Sequence, residues 1–535
     1  MDTPAIEDLV YRGRWWKNKG ILALNACLAL SLITSYTNGF DASMMNNLQI
    51  VPDWQTYFEN PSAPILGLVI SVQNIGALLA LPIAPYASDN LGRRKGLLVG
   101  SCIMLGGVAL QTMATTITLF ILSRGMIGFG LNFAANAAPL LIVELAYPTQ
   151  RGPVTALYNS SWYLGSIIAA WITFGTFRIS GTTWSWRIPS LLQGLPSLLQ
   201  VLLIWFVPES PRWLISKGKD TEAIRILAKY HANGNELDPL VQFEYNEIRE
   251  AMAIEREIAR ESTYLSLLST PGNRRRMRII CALGLFSQWR LVSYYINIVL
   301  EDLGVTSTSV KQLINACLQV WNMIVAIGAA FLVDRVGRRT LFLISNSGML
   351  ITFVAWTICT ALYTNLANTA AANTSIALIF IFFAFYDIAY SPLLVAYTIE
   401  VLPYQIRAKG FAVMNFTVCI TLVFNQYVNP IALERLEWKY YLVYCCWLVF
   451  EFIFIYFFLW ETRGRTLEQT AAIFDGEEYA DSLRHVGSEA AGQAQLAARR
   501  RNRFINSEES DHWSYLKTDS LSEVHHSRSG RRGVY

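Results

Sequence analysis

Long apolar runs separated by short polar stretches dominate this chain. Twelve are near the roughly 20 residues that a helix needs to cross a bilayer: 21–40, 64–84, 97–116, 118–144, 154–176, 188–206, 279–300, 312–332, 341–362, 376–398, 408–428 and 440–460. The runs are continuous rather than alternating, which argues against a membrane β-barrel. Gly and Pro occur inside several of them, as membrane helices tolerate. The pattern predicts an all-α membrane protein with twelve transmembrane helices. Between runs six and seven, residues 207–278 are polar, with helix-like charge patterning over 219–231 and 241–261. The expected organisation is a terminal segment 1–20, a six-helix bundle 21–206, a helical linker 207–278, a second six-helix bundle 279–460 and a tail 461–535. Within the tail, the Ser-, Arg- and Glu-rich composition of 475–535 predicts disorder.

Composition agrees with that pattern. Of 535 residues, 53% are hydrophobic and only 15% charged, where a soluble domain carries roughly 25% charged. Mean hydropathy is +0.33. A soluble, fibrous or disordered chain is thereby excluded, and a net charge of +4 gives no argument for nucleic acid. The eight cysteines sit in apolar runs without Cys-x-x-Cys spacing, as small hydrophobes do. None of the five histidines lies in an apolar run, so a histidine metal site or proton relay inside the membrane is not expected. Residues 1–20 are polar and the first apolar run is long, unlike a signal peptide. No nucleotide loop, metal cluster or nucleophile motif is present, so neither an enzyme nor a cofactor is expected.

Charge placement orients the chain. Of 43 Lys and Arg, 36 fall on the side shared by the two termini, five fall in the opposite loops, and Arg124 and Arg290 lie inside spans. The positive-inside rule then expects both termini in the cytoplasm. The 363–375 loop would face outside, with Asn373-Thr374-Ser375 as a glycosylation sequon, used or unused.

Three motifs recur. Asp89-Asn-Leu-Gly92-Arg93-Arg94 returns as Asp334-Arg-Val-Gly337-Arg338-Arg339. Glu144, seven residues before Arg151, returns as Glu400, seven before Arg407. Glu209-Ser-Pro-Arg212 returns loosely as Glu461-Thr-Arg463. The offsets, 245 to 256 residues, are nearly constant. A duplicated membrane bundle around a central cleft is a transporter architecture. The motif charges are expected to latch one end of the cleft, or else to serve only as positive-inside anchors.

Together these residues resemble the sugar porters of the major facilitator superfamily, over roughly 20–475. The resemblance rests on Gly39-Phe40-Asp41, both Asp-x-x-Gly-Arg-Arg loops, Arg151-Gly152, Trp186-Arg187-x-Pro189, Pro208-Glu-Ser-Pro-Arg212-Trp213 and Glu461-Thr-Arg-Gly-Arg-Thr-Leu-Glu468. Phe286-Ser-Gln-Trp289, Leu291-Val-Ser-Tyr-Tyr295, Tyr386-Asp387-Ile-Ala389 and Phe424-Asn-Gln-Tyr-Val-Asn-Pro430 are similar to the fungal lactose and cellodextrin branch. The resemblance implies two six-helix halves rocking around a midplane sugar site. The partners it implies are a sugar, protons and the lipid bilayer, with the monomer as working unit.

Ionisable residues at bilayer depth cost roughly 2.5–3.5 kcal/mol on insertion scales and mark function by default. Asp41 closes the first run and Arg124 opens the fourth. A carboxylate beside a guanidinium keeps its charge; separated from it in an apolar interior, it takes a proton. Such a pair can couple protons to sugar movement, or be a fixed structural ion pair. In the family, an acid at the Asp41 position accompanies proton symport. Asp387 suits the sugar site, a second proton step or a helix–helix hydrogen bond, and Glu451 a structural role.

A sugar site needs amides and aromatics. By motif, the resemblance implies Gln288, Asn322, Asn159, Tyr386, Tyr294 and Tyr295 as sugar-binding residues, with Asn425, Gln426 and Asn429 as weaker candidates. Interhelical hydrogen bonding is the competing role for each amide. Val395 stands where many sugar porters have a pocket tryptophan, for which Trp162 or Trp321 can substitute. Pro85 replaces the Gly that usually starts the first loop motif, with little consequence expected.

Span seven departs most from the pattern. Relatives of this branch place Ser-Gly-Asn-Gly between the Phe-Ser-Gln-Trp and Leu-Val-Ser-Tyr-Tyr segments, where this chain has only Arg290. Losing three residues shortens a helix by ~4.5 Å and turns its outer part by ~60°. Either Arg290 is genuine and alters or abolishes transport, or three residues were lost at a splice boundary; the fit of the flanking residues favours the second. The expected function is a proton-coupled symporter for a disaccharide such as lactose or cellobiose in the plasma membrane. A hexose transporter, an uncoupled facilitator and a non-transporting sugar sensor are the alternatives.

Overall fold

A computed structural model describes residues 10–11, 13–261, 264–289, 295–366, 368–463 and 474; the side chains of 254–261, 298, 302, 330–331, 333–334, 404–405, 408 and 437 lie outside that description. Everything below belongs to the unit Leu9–Gly464. Twelve principal helices follow the apolar runs: α1 Lys19–Leu48, α2 Ala63–Ala80, α3 Arg93–Thr112, α4 Ile117–Leu145, α5 Arg151–Thr176, α6 Trp184–Phe206, α7 Pro271–Gln288, α8 Thr308–Val336, α9 Arg338–Leu366, α10 Thr369–Val401, α11 Tyr404–Leu436 and α12 Tyr440–Phe458. Among the described residues there is no strand. Among the described residues, ten helices are long and apolar enough to cross a membrane. The other two are α5, which is continuous but more polar, and α7.

Several boundaries move from expectation, for one physical reason: polar residues packed between helices do not have to be loop. Helix α1 runs past Phe40 to Leu48, with Ser43, Asn46 and Asn47 buried. Residues 42–62, between the first two apolar runs, therefore hold the last turns of α1 and a short helix, Pro52–Tyr57. Likewise α10 starts at Thr369, so the Asn373 sequon lies in a helix rather than in a loop. Helix α7 starts at Pro271, ahead of its apolar run, with Thr270 Oγ1 capping Asn273 N at 3.1 Å. It ends at Gln288, and helix resumes over Ile296–Asp302. The linker helices, Asp220–His231 and Pro239–Glu261, are where the charge patterning put them.

The outside is apolar, unlike that of a soluble protein, while the interior mixes apolar and polar side chains. Leu202, Phe206, Ile351, Phe457 and many other large apolar side chains are exposed on the outside. Buried polar residues such as Gln111, Gln200, Asn346 and Thr398 hold the interior together. Close backbone approach through small residues does much of the packing. A Cβ on Gly39 of α1 would lie 1.9 Å from the Trp162 carbonyl oxygen of α5, and one on Gly165 would lie 2.0 Å from the Tyr36 oxygen. The glycine of the Gly39-Phe40-Asp41 motif is thus a contact that presses α1 onto α5, two residues from Asp41.

Candidate functional site

Asp41 lies seven residues before the end of α1, and Arg124 seven residues after the start of α4. Seven residues are about 10 Å of helix, so helices running in opposite directions bring the two to one depth. Arg124 Nη1 donates to Asp41 Oδ1 at 3.0 Å and Nη2 to Oδ2 at 3.2 Å, a two-pronged pair. Both side chains are 1% exposed. Arg124 also donates from Nε to the Val69 carbonyl at 2.9 Å and from Nη2 to Gln73 Oε1 at 2.6 Å, both on α2. Asp41 Oδ1 accepts from Gln193 Nε2 of α6 at 2.5 Å. Four helices of the first half therefore meet on this one ion pair. Burying it is tolerable because every charged prong has a partner.

The expected sugar-site residues spread over the second half, with Asn159 the exception. Asn322 of α8 is buried, and its Oδ1 has no partner among the described residues. Above it on the same helix, Gln312, Asn315 and Gln319 are also buried. Their spacing of three, four and three residues puts all four amides on one face. Gln319 Nε2 donates to Asn315 Oδ1 at 3.2 Å, while both Gln312 amide atoms are buried without partners among the described residues. Gln288 ends α7 half-buried, its amide only 3.3 Å from Ser287 Oγ. Tyr386 is buried on α10, stacks on Tyr390 at 5.2 Å and donates to the Ser287 carbonyl at 3.1 Å. Asn159 is exposed on α5, one turn before Tyr163.

Other candidates hold helices together. Asn425 Nδ2 donates to the Gln288 carbonyl at 2.8 Å, and its Oδ1 accepts from Tyr444 at 2.9 Å and Asn429 at 2.7 Å. Gln426 Oε1 accepts from Asn74 of α2 at 2.7 Å, and its carbonyl accepts from the Tyr295 hydroxyl. Tyr294 and Arg290 lie outside the described residues. Val395 is exposed, and Trp321 is bound through Nε1 to the Phe380 carbonyl at 2.9 Å. Asp387 Oδ1 accepts from the Tyr163 hydroxyl of α5 at 3.2 Å, and that hydroxyl also contacts Ser391 Oγ. Glu451 is buried on α12.

Contacts between the halves gather away from the repeated loops. Asn315 Nδ2 donates to Asn47 Oδ1 at 2.8 Å, and Asn297 Nδ2 donates to the Asn46 carbonyl. With Asn74–Gln426 they join the C-terminal end of α1 and the middle of α2 to α8, α11 and the Ile296–Asp302 helix.

At the loop end, the duplicated motifs adopt duplicated geometry. In the first half, Arg93 Nε donates to Glu144 Oε2 at 3.2 Å and Nη1 to Asp89 Oδ1 at 2.9 Å. Glu209 Oε1 accepts the backbone N–H of Arg93 at 2.9 Å and of Arg94 at 3.2 Å. In the second half, Arg338 Nη2 donates to Glu400 Oε1 at 3.0 Å. Glu461 accepts the backbone N–H of Arg338 at 2.8 Å and of Arg339 at 3.0 Å. The preceding glycines, Gly92 and Gly337, have φ of +101° and +104°, the left-handed region that favours glycine. Arg151 Nε and Arg407 Nε each bind the carbonyl five residues back, Ala146 at 3.2 Å and Leu402 at 3.3 Å. Arg94 Nη1 and Arg339 Nη2 bind the Val207 and Tyr456 carbonyls. Arg212 is half-buried, and the Asp334 side chain lies outside the described residues. Burial pushes the Glu209 carboxyl above the usual carboxylate range, against the backbone N–H groups of Ser210, Arg94 and Arg93, which lower it.

Residue types and spacing did not single out Gln73, Gln193, Tyr163 or the amide face of α8. The signal was present: an amide or hydroxyl inside an apolar run, or four amides at helical period, needs a partner in lipid. His231 was likewise passed over because it lies in the polar linker.

Comparison with known proteins identifies the family. The chain is 28% identical over 496 residues to a high-affinity glucose transporter of Kluyveromyces lactis, covering 87% of each. It is 27% identical over 480 residues to a quinate permease of Neurospora africana, covering 84% of this chain and 88% of that one. The xylose transporter XylE from E. coli, in an inward open conformation, superposes with a TM-score of 0.68 at 22% identity, over 84% of this chain and all of that one. That likeness establishes the fold. Residues 26–474 match the family described as sugar (and other) transporter, and the chain belongs to this family of multi-pass membrane transporters within the major facilitator superfamily.

Proposed function

We propose that this protein is a proton-coupled sugar symporter with Asp41 as the proton-carrying group. The observation that carries this reading is the buried Asp41–Arg124 pair, in which Gln193 supplies a third donor to the carboxylate. Protonation of Asp41 removes one charge from the pair. Arg124 keeps the Val69 carbonyl and Gln73 Oε1 as partners, so its guanidinium stays solvated by protein when the carboxyl is neutral. Through Gly39, α1 bears on α5, and α5 carries Tyr163 to Asp387 of α10. This gives a physical route from the proton site to the second half.

In this reading the sugar lies against the α8 amide face, with Asn322, Gln288, Asn159, Tyr386, Tyr294 and Tyr295 contributing. Asn425 and Gln426 are more committed to helix contacts and act at the margin of the site. A disaccharide such as lactose or cellobiose is the first substrate, supported by the Phe286–Trp289 and Leu291–Tyr295 motifs. The α8 amides also extend about 15 Å from Gln312 to Asn322, longer than one sugar ring. A hexose is the second reading, favoured by the glucose-transporting relative. The repeated Arg–Glu clusters serve as latches at the cytoplasmic end of two six-helix halves, 21–206 and 279–460. Both termini are placed in the cytoplasm by the loop charges, and the plasma membrane is the proposed location.

The test is uptake of labelled lactose, cellobiose and glucose in yeast lacking its own sugar carriers, at acid and neutral external pH, with and without a protonophore. Disaccharide uptake that collapses with the protonophore and in Asp41→Asn is expected. Absence of uptake by a chain present at the cell surface would sink the reading, and would direct attention to the transcript across residues 286–295.

A further inference from the structure

We propose that the cavity where α7 enters the bundle is a binding site for an anionic phospholipid. Arg274, Arg275 and Arg278, together with Leu268, Met277 and Cys281, line a cavity of about 760 Å³. Four arginines are crowded into five residues here, and the structure separates them. Arg276 turns inward, fully buried, and ties α7 to α10 by donating to the Val401 carbonyl at 3.1 Å, while it also donates to Asn273 Oδ1 of its own helix at 3.0 Å. The other three are exposed, and none has a carboxylate partner among the described residues. Arg274 makes only a long contact to the Thr270 carbonyl at 3.5 Å. Arg274 and Arg278 are four residues apart on one helix face, where like charges repel. Such a cluster calls for an anion.

The cavity also has an apolar wall. The three arginines precede the apolar run that starts near residue 279, whereas Cys281 lies inside it. The site therefore straddles the level at which head groups meet acyl chains. Tyr264, Leu265 and Leu268 are 62%, 80% and 58% exposed on the adjoining segment, beside a linker that is otherwise polar. Large apolar side chains displayed there have a physical reason if that turn rests in the membrane interface. Lys409 of α11 lies 5.8 Å from the Tyr264 ring centroid. Guanidinium forks match phosphate oxygens, and basic pockets between membrane helices hold acidic head groups. The chemistry fits a lipid phosphate on the arginines with its chain along Leu268 and Met277. The proposal does not depend on the transport reading.

The test uses the full-length protein purified in neutral detergent, with phosphatidylserine or phosphatidylcholine added and bound lipid read by native mass spectrometry. Wild type is expected to retain phosphatidylserine over phosphatidylcholine. The Arg274→Gln/Arg275→Gln/Arg278→Gln variant is expected to weaken that retention at least about fivefold, as loss of interfacial arginines predicts. Single Arg275→Gln and Arg278→Gln variants, at exposed positions, each reduce it less and keep the test open if the triple variant does not fold. Leu268→Ser is expected to reduce it as well. Inorganic phosphate is the competing source of the same chemistry, and displacement of the lipid by an equal concentration of phosphate would overturn the lipid assignment. Equal retention of the two lipids by wild type, or phosphatidylserine retention unchanged in the single variants, would also overturn it.

Discussion

His231 Nδ1 lies 2.6 Å from Glu244 Oε2, joining the two linker helices inside a buried contact. The other ring nitrogen reaches the Leu145 carbonyl at the end of α4 at 3.2 Å, and Glu244 Oε1 accepts from Arg151 Nη2 at the start of α5 at 3.3 Å. One imidazole and one carboxylate therefore fasten the linker to the α4–α5 corner. We predict that Glu244→Ala, which leaves His231 without its partner, lowers the thermal unfolding temperature and speeds tryptic cleavage at Arg249. The loss of a buried hydrogen-bonded partner costs roughly 1–3 kcal/mol. Cleavage and unfolding equal to wild type would show that the linker is held elsewhere.

The proton site makes a second prediction. Gln193→Leu removes one donor from Asp41 while leaving Arg124 in place. Proton-driven accumulation should fall in Gln193→Leu, because the carboxylate loses one of the three side-chain donors that hold it. Asp41→Asn should abolish accumulation but keep sugar binding. Accumulation equal to wild type in Gln193→Leu would argue that the Gln193 contact is structural only.

The interhelical amides predict a shift of state. Asn315→Ala, at the end opposite the repeated loops, and Asn74→Ala, midway along α2, each remove one hydrogen bond between the halves. About 1 kcal/mol per bond, close to a fivefold change in population, should favour opening at that end. Cysteine accessibility near Asn46 should rise in both variants, and unchanged labelling would count against these contacts as a closure.

Gly92→Ala and Gly337→Ala test the duplicated loops. Each adds a Cβ at positive φ, 2.3 Å from Glu209 Oε2 or 2.8 Å from Glu461 Oε2. Both the backbone conformation and the carboxylate contact oppose it, so each should cost about 1–3 kcal/mol. Reduced uptake at normal surface levels is expected from either variant, and the similar geometry predicts similar losses.

Asn322→Ala should raise KM for sugar several-fold with little change in protein level, since its buried Oδ1 has no protein partner to lose among the described residues. Asn425→Ala should instead lower stability, because Tyr444, Asn429 and the Gln288 carbonyl all bind that amide. If the two variants behave alike in uptake and melting, the division between sugar contact and helix contact is wrong.

Hydropathy was enough to read the number and order of the helices, because the bilayer demands about 20 apolar residues per span, while several of their ends were set by packing. The recurrence of Gly92-Arg93-Arg94 as Gly337-Arg338-Arg339 likewise exposed the duplication, and the geometry repeats with it. The charge of Asp41 and of Arg124 was visible too, since an ion in an apolar run stands out. Their joining was decided by tertiary structure: antiparallel helices set the two at one depth, and Gln193 and Val69 came to them from α6 and α2. The same holds for Asn425 and Asn322, both amides in apolar runs and equal as sequence. Packing commits the first to Tyr444 and Asn429 and leaves the second with an open oxygen. An amide's role depends on which neighbours satisfy it, and those neighbours are more than a hundred residues away as often as they are one turn along the helix.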